Sequence, residues 1–154
     1  MDIIRRKTDY GLRALISLAK AGRPMRAEEL AQTEDAPVAF LHKALKDLGT
    51  VGIVAGQRGP SGGFALARPA RRITVLEAVE AMQGPVTISR CLIGDDGCGR
   101  QRTCGLRRTW QKAQENMVAF LRDLTLDDLV RSLGARPRGG GRKRAASGTR
   151  KGRR

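Results

Sequence analysis

A mainly α-helical chain with one small β-hairpin is what this sequence predicts, on three observations. Apolar residues recur at helical spacing through successive stretches of the 154 residues. One glycine-rich turn, within "GQRGPSGG" (56–63), separates two short apolar segments. Aromatic residues make up only 3% against 40% hydrophobic, a composition that suits a helical core built on Leu, Ala, Val and Ile.

The elements follow in order. Residues 8–21 read as a helix in which Leu12, Leu15, Ile16 and Ala19 fall at i, i+3, i+4 and i+7, making one apolar stripe. "GRP" (22–24) stops it. A short second helix turns Ala27, Leu30 and Ala31 inward, and "TEDAP" (33–37) breaks the chain. Pro37 suits the first turn of a third helix, whose stripe is Leu41, Ala44, Leu45 and Leu48, with Gly49 or Gly52 ending it. That stripe leaves Val38, Ala39, His42, Lys43 and Lys46 pointing outward. The pair Ile53–Val54, a turn at Gly59–Gly63, then Phe64 and Leu66 predict a hairpin. Thr74 and Glu77 have capping-box spacing ahead of a fourth helix over 74–82. Residues 105–123 form the longest helix, and Thr125 to Asp128 cap a last short one carrying Leu129, Val130 and Leu133.

Three short helices followed by a hairpin with a basic, glycine-rich tip describe a winged helix-turn-helix, in which the third helix enters the DNA major groove. The long helix adds a second function. Leu106, Trp110, Ala113, Met117, Phe120 or Leu121, and Leu124 step by four and three, a period near 3.5 that suits packing along a partner helix. Covering the domain's own core is the plainer alternative. The predicted class is therefore mainly α with a small β-wing, a winged helix-turn-helix plus a long dimerisation helix. The divisions are a DNA-binding domain at 1–83, a cysteine-rich loop at 84–104, the dimerisation helix and C-terminal turn at 105–134, and a disordered basic tail at 135–154.

Charge points the same way. The formal net charge is +15, and nine of the thirty Lys and Arg lie in residues 136–154, where there is no acid. That tail cannot pack a core and reads as a solvated, sequence-blind arm for nucleic acid. The mixture of acids and bases before it argues against a protein that merely coats nucleic acid by charge. No apolar run approaches a membrane span, and "MDIIRRKTDYGLRALISLAKAG" is no signal peptide, so a soluble cytoplasmic protein with no membrane partner is expected.

All three cysteines, Cys91, Cys98 and Cys104, fall in "CLIGDDGCGRQRTC" (91–104). In a reducing compartment such clustering favours a metal site over a disulfide framework. Structural zinc sites use close cysteine pairs and four protein ligands. Gaps of six and five residues instead suit a polypeptide travelling around an iron–sulfur cluster. Gly94, Gly97, Gly99 and Gly105 allow close backbone approach, and Arg90, Arg100 and Arg102 offset anionic charge. Metal-free thiol redox switching is the main competitor. A fourth ligand is wanted: His42 lies on the outward face of helix three, Asp95 and Asp96 are local, and Asp9 is no more than a partner for Arg13 on spacing alone. An enzyme is disfavoured because no nucleophile–base constellation and no phosphate loop is present.

"TDYGLRALISLA" (8–19), "GQRGPSGGFALARPA" (56–70), the C-x6-C-x5-C loop and "LTLDDLV" (124–130) together resemble the IscR/NsrR-like family of bacterial transcriptional regulators, also called the Rrf-two family, over residues 1–133. The resemblance implies a winged-helix homodimer on a double-stranded DNA operator, with an iron–sulfur cluster of two or four irons held by Cys91, Cys98 and Cys104 controlling DNA affinity. In the iron–sulfur-assembly branch a ligand histidine follows the third cysteine by three residues; here that position is Arg107. In the nitric-oxide-sensing branch the aspartate of "TDY", from the other subunit, completes the site, and Asp9 matches it. The first gap, six residues here, is five in many relatives. On the DNA side the resemblance places helix three in the major groove, where their outward position makes Val38, Ala39, His42 and Lys43 base-contact candidates and Lys46 a phosphate contact. It also matches Arg58, Ser61, Gly62 and Gly63 to the family's wing tip. The function read from the sequence is a dimeric regulator, expected to be a repressor, sensing nitric oxide, oxygen, redox state or iron; a metal-free thiol-redox or zinc-dependent regulator of the same fold is the alternative.

Overall fold

A computed structural model of the chain describes residues 3–60, 62–92 and 103–134. Among the described residues, six helices and one hairpin follow in order: α1 (Arg6–Ala21), α2 (Ala27–Thr33), α3 (Val38–Thr50), β1 (Val54–Gln57), β2 (Gly63–Leu66), α4 (Val75–Gln83), α5 (Gly105–Asp123) and α6 (Leu126–Gly134). A short 3-10 turn at Ala70–Arg72 leads into α4, and another at Arg90–Leu92 follows it. The hairpin is antiparallel, with Val54 opposite Leu66 and Gln57 opposite Gly63.

α1 is the central helix, in contact with α3, α4, α6 and β2. Elements on several sides widen its buried face beyond the predicted stripe: Thr8, Gly11, Ala14, Leu15 and Leu18 are buried, whereas Leu12, Ile16 and Ala19 are half-buried. Gly11 marks the closest approach, since a Cβ there would lie 2.2 Å from Met82 Sδ and 3.1 Å from Ala44 Cβ. From α3 the predicted stripe of Leu41, Ala44, Leu45 and Leu48 is fully buried, joined by Leu30, Ile53 and Ile73. Each such large aliphatic side chain contributes roughly 1.5–3 kcal/mol relative to exposure.

The hydroxyl of Thr8 is buried with no hydrogen-bond partner among the described residues. A buried polar group without a partner costs about 1–3 kcal/mol, and valine has the same shape. Thr8→Val is therefore expected to leave stability unchanged or raise it by about 1 kcal/mol in urea unfolding; a clear loss would reveal a partner for the hydroxyl.

Only half of the predicted capping box at α4 forms. Thr74 Oγ1 accepts from the Glu77 amide at 3.1 Å, but the Glu77 carboxylate is taken by Arg68. At α6 the box is complete: Thr125 N and Oγ1 donate to Asp128 Oδ2 at 2.9 and 2.5 Å, and Asp128 N donates to Thr125 Oγ1 at 3.2 Å. The hydrogen bonds from Thr125 hold the Asp128 carboxyl below its ordinary range.

The long helix divides its apolar stripe. Met117, Leu121 and Leu124, expected from their spacing at a subunit interface, pack with Val118 and Leu129 on Val75, Leu76, Val79 and Val86 of the same chain. That is the plainer alternative for the C-terminal half of α5. Leu106, Trp110 and Phe120 stay 64%, 43% and 65% exposed, and Ala113 is exposed too. The chain then returns to the core. Thr74 and Thr125 form an isolated antiparallel bridge, with Val75 N donating to Leu124 O at 2.8 Å and Leu126 N to Ile73 O at 2.9 Å. Leu126 is buried with the α1 and α3 residues.

Candidate functional site

Two groups of candidate residues stand apart in this architecture. The first is the outward side of α3 and the hairpin. Val38 and Phe40 are 38% and 42% exposed, and Ala39, His42, Lys43 and Lys46 are exposed as well. Phe40 escaped the periodicity because it lies on the flank of α3; its ring stands 6.1 Å from that of Tyr10, over which Arg13 sits at 6.0 Å. His42 Nε2 is 3.5 Å from Glu28 Oε1, so the first turn of α2 borders the outward face of α3.

The connection between α2 and α3 is held by its own backbone. Ala36 N donates to Ala31 O at 3.0 Å, and Asp35 takes a left-handed φ of 48°, a conformation that aspartate tolerates better than most residues. Pro37 is the N-cap of α3, one residue earlier than its predicted place in the first turn. These constraints fix the entry angle of α3 and hence which side chains face outward.

The hairpin is anchored at a residue that no local pattern marks. Met25, before α2, bridges Phe64: Met25 N donates to Phe64 O at 2.9 Å, and Phe64 N to Met25 O at 2.8 Å. Gly63, with φ of 149°, lies against this segment, so that a Cβ would fall 2.5 Å from Met25 O. Gly62 closes the tip by donating to Gly59 O at 2.9 Å. Arg58 is exposed on the hairpin, and Arg26 Nη2 donates to Pro60 O at 2.6 Å. Ser61 lies outside the described residues. Beside the hairpin, Arg23 pairs with Glu29 and draws its carboxyl below the ordinary range.

The second group is the thiol segment. Cys91 sits in the 3-10 turn after α4, and Cys104 is the N-cap of α5. Both are free and half-buried, and Ser89 Oγ lies 3.2 Å from Cys91 Sγ. Arg107 Nε donates to Cys91 O at 3.1 Å, tying the turn that carries the first thiol to the helix that begins after the last. Arg107 thus acts as a structural clasp at the position where a ligand histidine would have stood. Cys98 lies outside the described residues.

Asp9 is in the first turn of α1, where its carboxylate pairs with Arg13 at 2.8 Å. Among the described residues no three Cys, His, Asp or Glu converge, so Asp9 does not join Cys91 and Cys104 within one chain. The two described thiols suit a soft metal centre in donor type. Among the described residues, no helix is long and apolar enough to cross a membrane.

Comparison with known proteins is consistent across sequence and structure. Residues 4–132 match the profile of Rrf2, described as an iron-dependent transcriptional regulator. The chain is 35% identical over 126 residues to the HTH-type transcriptional repressor NsrR of Streptomyces coelicolor, covering 80% of this chain and 84% of that protein. Its fold superposes on CymR (YrzC), the global cysteine regulator of B. subtilis, with a TM-score of 0.70 and 26% identity, covering 86% of this chain and 98% of the other. It also superposes on T. potens IscR with a TM-score of 0.69 at 22% identity, covering 84% and 87% of the two chains, a likeness of fold.

Proposed function

The chain belongs to the Rrf2 family of transcriptional regulators, and from that premise we propose that it acts as a homodimeric repressor whose hold on DNA is set by an iron–sulfur cluster. The family and these relatives are regulators of transcription and not enzymes. α3 enters the major groove with Val38, Ala39, His42 and Lys43 at the bases and Lys46 at phosphate. The hairpin is the wing, with Arg58 reaching the minor groove or backbone beside it.

The observation that carries the sensing part is the placement of the thiols. Cys91 and Cys104 are free, half-buried and joined through the Arg107 clasp at the foot of α5. Cys91, Cys98 and Cys104 would hold the cluster, with Asp9 of the partner subunit as fourth ligand. With a carboxylate as its weakest ligand, such a cluster would supply an iron atom open to small molecules such as nitric oxide or oxygen. The chain's own residues do the rest. Leu106, Trp110, Ala113 and Phe120 leave an apolar strip on α5 for the matching strip of a second copy. The far end of α5 is hydrogen-bonded through Leu124 to Val75, at the start of the helix that follows the wing, so a change at its foot has a mechanical route to the reading head.

The test is anaerobic purification with visible absorption and iron and sulfide analysis. A coloured protein with iron and sulfide in stoichiometric amounts is the expected result, and a colourless, iron-free or zinc-containing protein would falsify the cluster reading in favour of thiol or zinc regulation. Asp9→Ala is expected to alter the absorption spectrum and shorten the life of the cluster in air while leaving the dimer intact. Its structural cost is small, because the exposed Asp9–Arg13 pair contributes at most about 0.5 kcal/mol. An unchanged spectrum would remove Asp9 from the ligand set.

A further inference from the structure

We propose that Arg26 is a wing-positioning residue that also binds a DNA phosphate: one of its N–H groups holds the wing tip, and the others face the strand between the wing and α3. The inference rests on the reading that α3 and the hairpin face DNA.

The guanidinium spans from a rigid base to a tip that needs support. Its backbone neighbour Met25 is paired to Phe64 by two hydrogen bonds, and Gly63 is pressed against the same peptide. The root of the wing and residue 26 therefore move together. The side chain then reaches across to Pro60 O at 2.6 Å, near the turn that presents Arg58. Among the described residues, what then holds the tip is its own turn, from Gly62 N to Gly59 O, and the last pair of the ladder, Gln57 with Gly63.

The chemistry of the remaining donors identifies what they meet. A guanidinium has five N–H groups, and one hydrogen bond to Pro60 leaves most of them free. Arg26 is exposed and, among the described residues, its guanidinium makes no salt bridge; the nearby Glu29 carboxylate accepts from the Arg26 backbone amide and feels the Arg26 charge, but its side-chain partner is Arg23. Two residues further on, Glu28 touches His42 on the outward face of α3. The backbone of residue 26 thus lies between Met25, paired to the wing, and Glu28, which touches α3. A planar fork with several donors suits simultaneous contact with a carbonyl and a phosphate, and phosphate contacts fix register without reading sequence.

The probe is the tightest duplex that the full-length wild-type protein selects from a random library of about 30 base pairs, long enough for two half-sites a helical turn or two apart. Affinity is measured across a potassium chloride series, with a hydroxyl-radical footprint, for wild type, Arg26→Ala and Arg26→Lys. Arg26→Ala is expected to bind about tenfold more weakly, and the slope of log affinity against log salt should fall by about 0.9, the value of one lost phosphate contact. Protection should thin at the wing position and persist in the major groove. Arg26→Lys should keep the slope while losing part of the wing protection.

A purely structural role would leave the slope unmoved, so an unchanged slope in Arg26→Ala overturns the proposal. So does a drop in slope in Arg26→Lys equal to that of alanine, and this variant carries the test where alanine fails to fold. A wild-type protein that selects no sequence overturns both the DNA-facing reading and the inference. Failure of the Arg26 variants alone overturns only the inference.

Discussion

Gly63→Ala is expected to destabilise the protein by about 2–4 kcal/mol and to abolish tight DNA binding. Two effects add at this position. The backbone φ of 149° lies in a region that L side chains rarely adopt. The new methyl would also sit 2.5 Å from Met25 O and 2.6 Å from Met25 C, and both are backbone atoms with no free rotor to turn aside. Relief requires the wing to part from Met25, which breaks the paired hydrogen bonds between Met25 and Phe64. Gly56→Ala is the control on exposed β1, because a methyl there would meet no atom within 4 Å, and its effect should stay within about 0.5 kcal/mol. Urea unfolding with parallel affinity measurement on both variants checks the pair; equal stability of the two would refute the close-approach argument.

Leu45→Ala should cost about 3 kcal/mol, against a total stability of roughly 5–15 kcal/mol for a domain. α3 is held to the core by one stripe of four residues, and Leu45 is fully buried within it. Truncation removes contacts to a side chain that no neighbour can replace without moving α3. Val38→Ala provides the contrast on the same helix. Val38 is 38% exposed, so its loss should leave unfolding within about 0.5 kcal/mol of wild type and appear only in DNA affinity. A loss in Leu45→Ala below about 1 kcal/mol would mean that the α3 stripe is not what fixes the helix.

The parts of this fold legible in the sequence are those written in local periodicity. Leu41, Ala44, Leu45 and Leu48 announce both the buried face of α3 and, by exclusion, its outward face. The hairpin is legible from its glycines and from Phe64 and Leu66. Contacts made by single residues over long sequence separations are not. Nothing local marks Met25 as the bridge to Phe64, or Arg26 as the support of Pro60, because a ladder of one residue has no period. Arg68 and Arg107 carry long side chains that find a distant carboxylate or carbonyl only in the folded chain. The α5 stripe leaves a choice for the same reason: a repeat near 3.5 specifies a contact face but not whether the contact is another helix of the same chain or of a second copy. Within the single chain Met117, Leu121 and Leu124 pack on α4 and stay half-buried. At the candidate site, clustering and spacing single out the three thiols, while Asp9 enters through resemblance alone and is occupied by Arg13 in the single chain.

The bridge between Thr74 and Thr125 has a consequence for how the molecule breathes. The amides of Val75 and Leu126 are locked to carbonyls across the seam, at 2.8 and 2.9 Å, and Leu126 is buried beneath it. Neither amide can be released while the other bond and its burial persist. The end of α5 and the start of α4 should therefore open as one cooperative unit, with Val75 and Leu126 exchanging their hydrogens at closely matched, slow rates. Fraying that begins at the exposed start of α5 would run down that helix and halt at this seam.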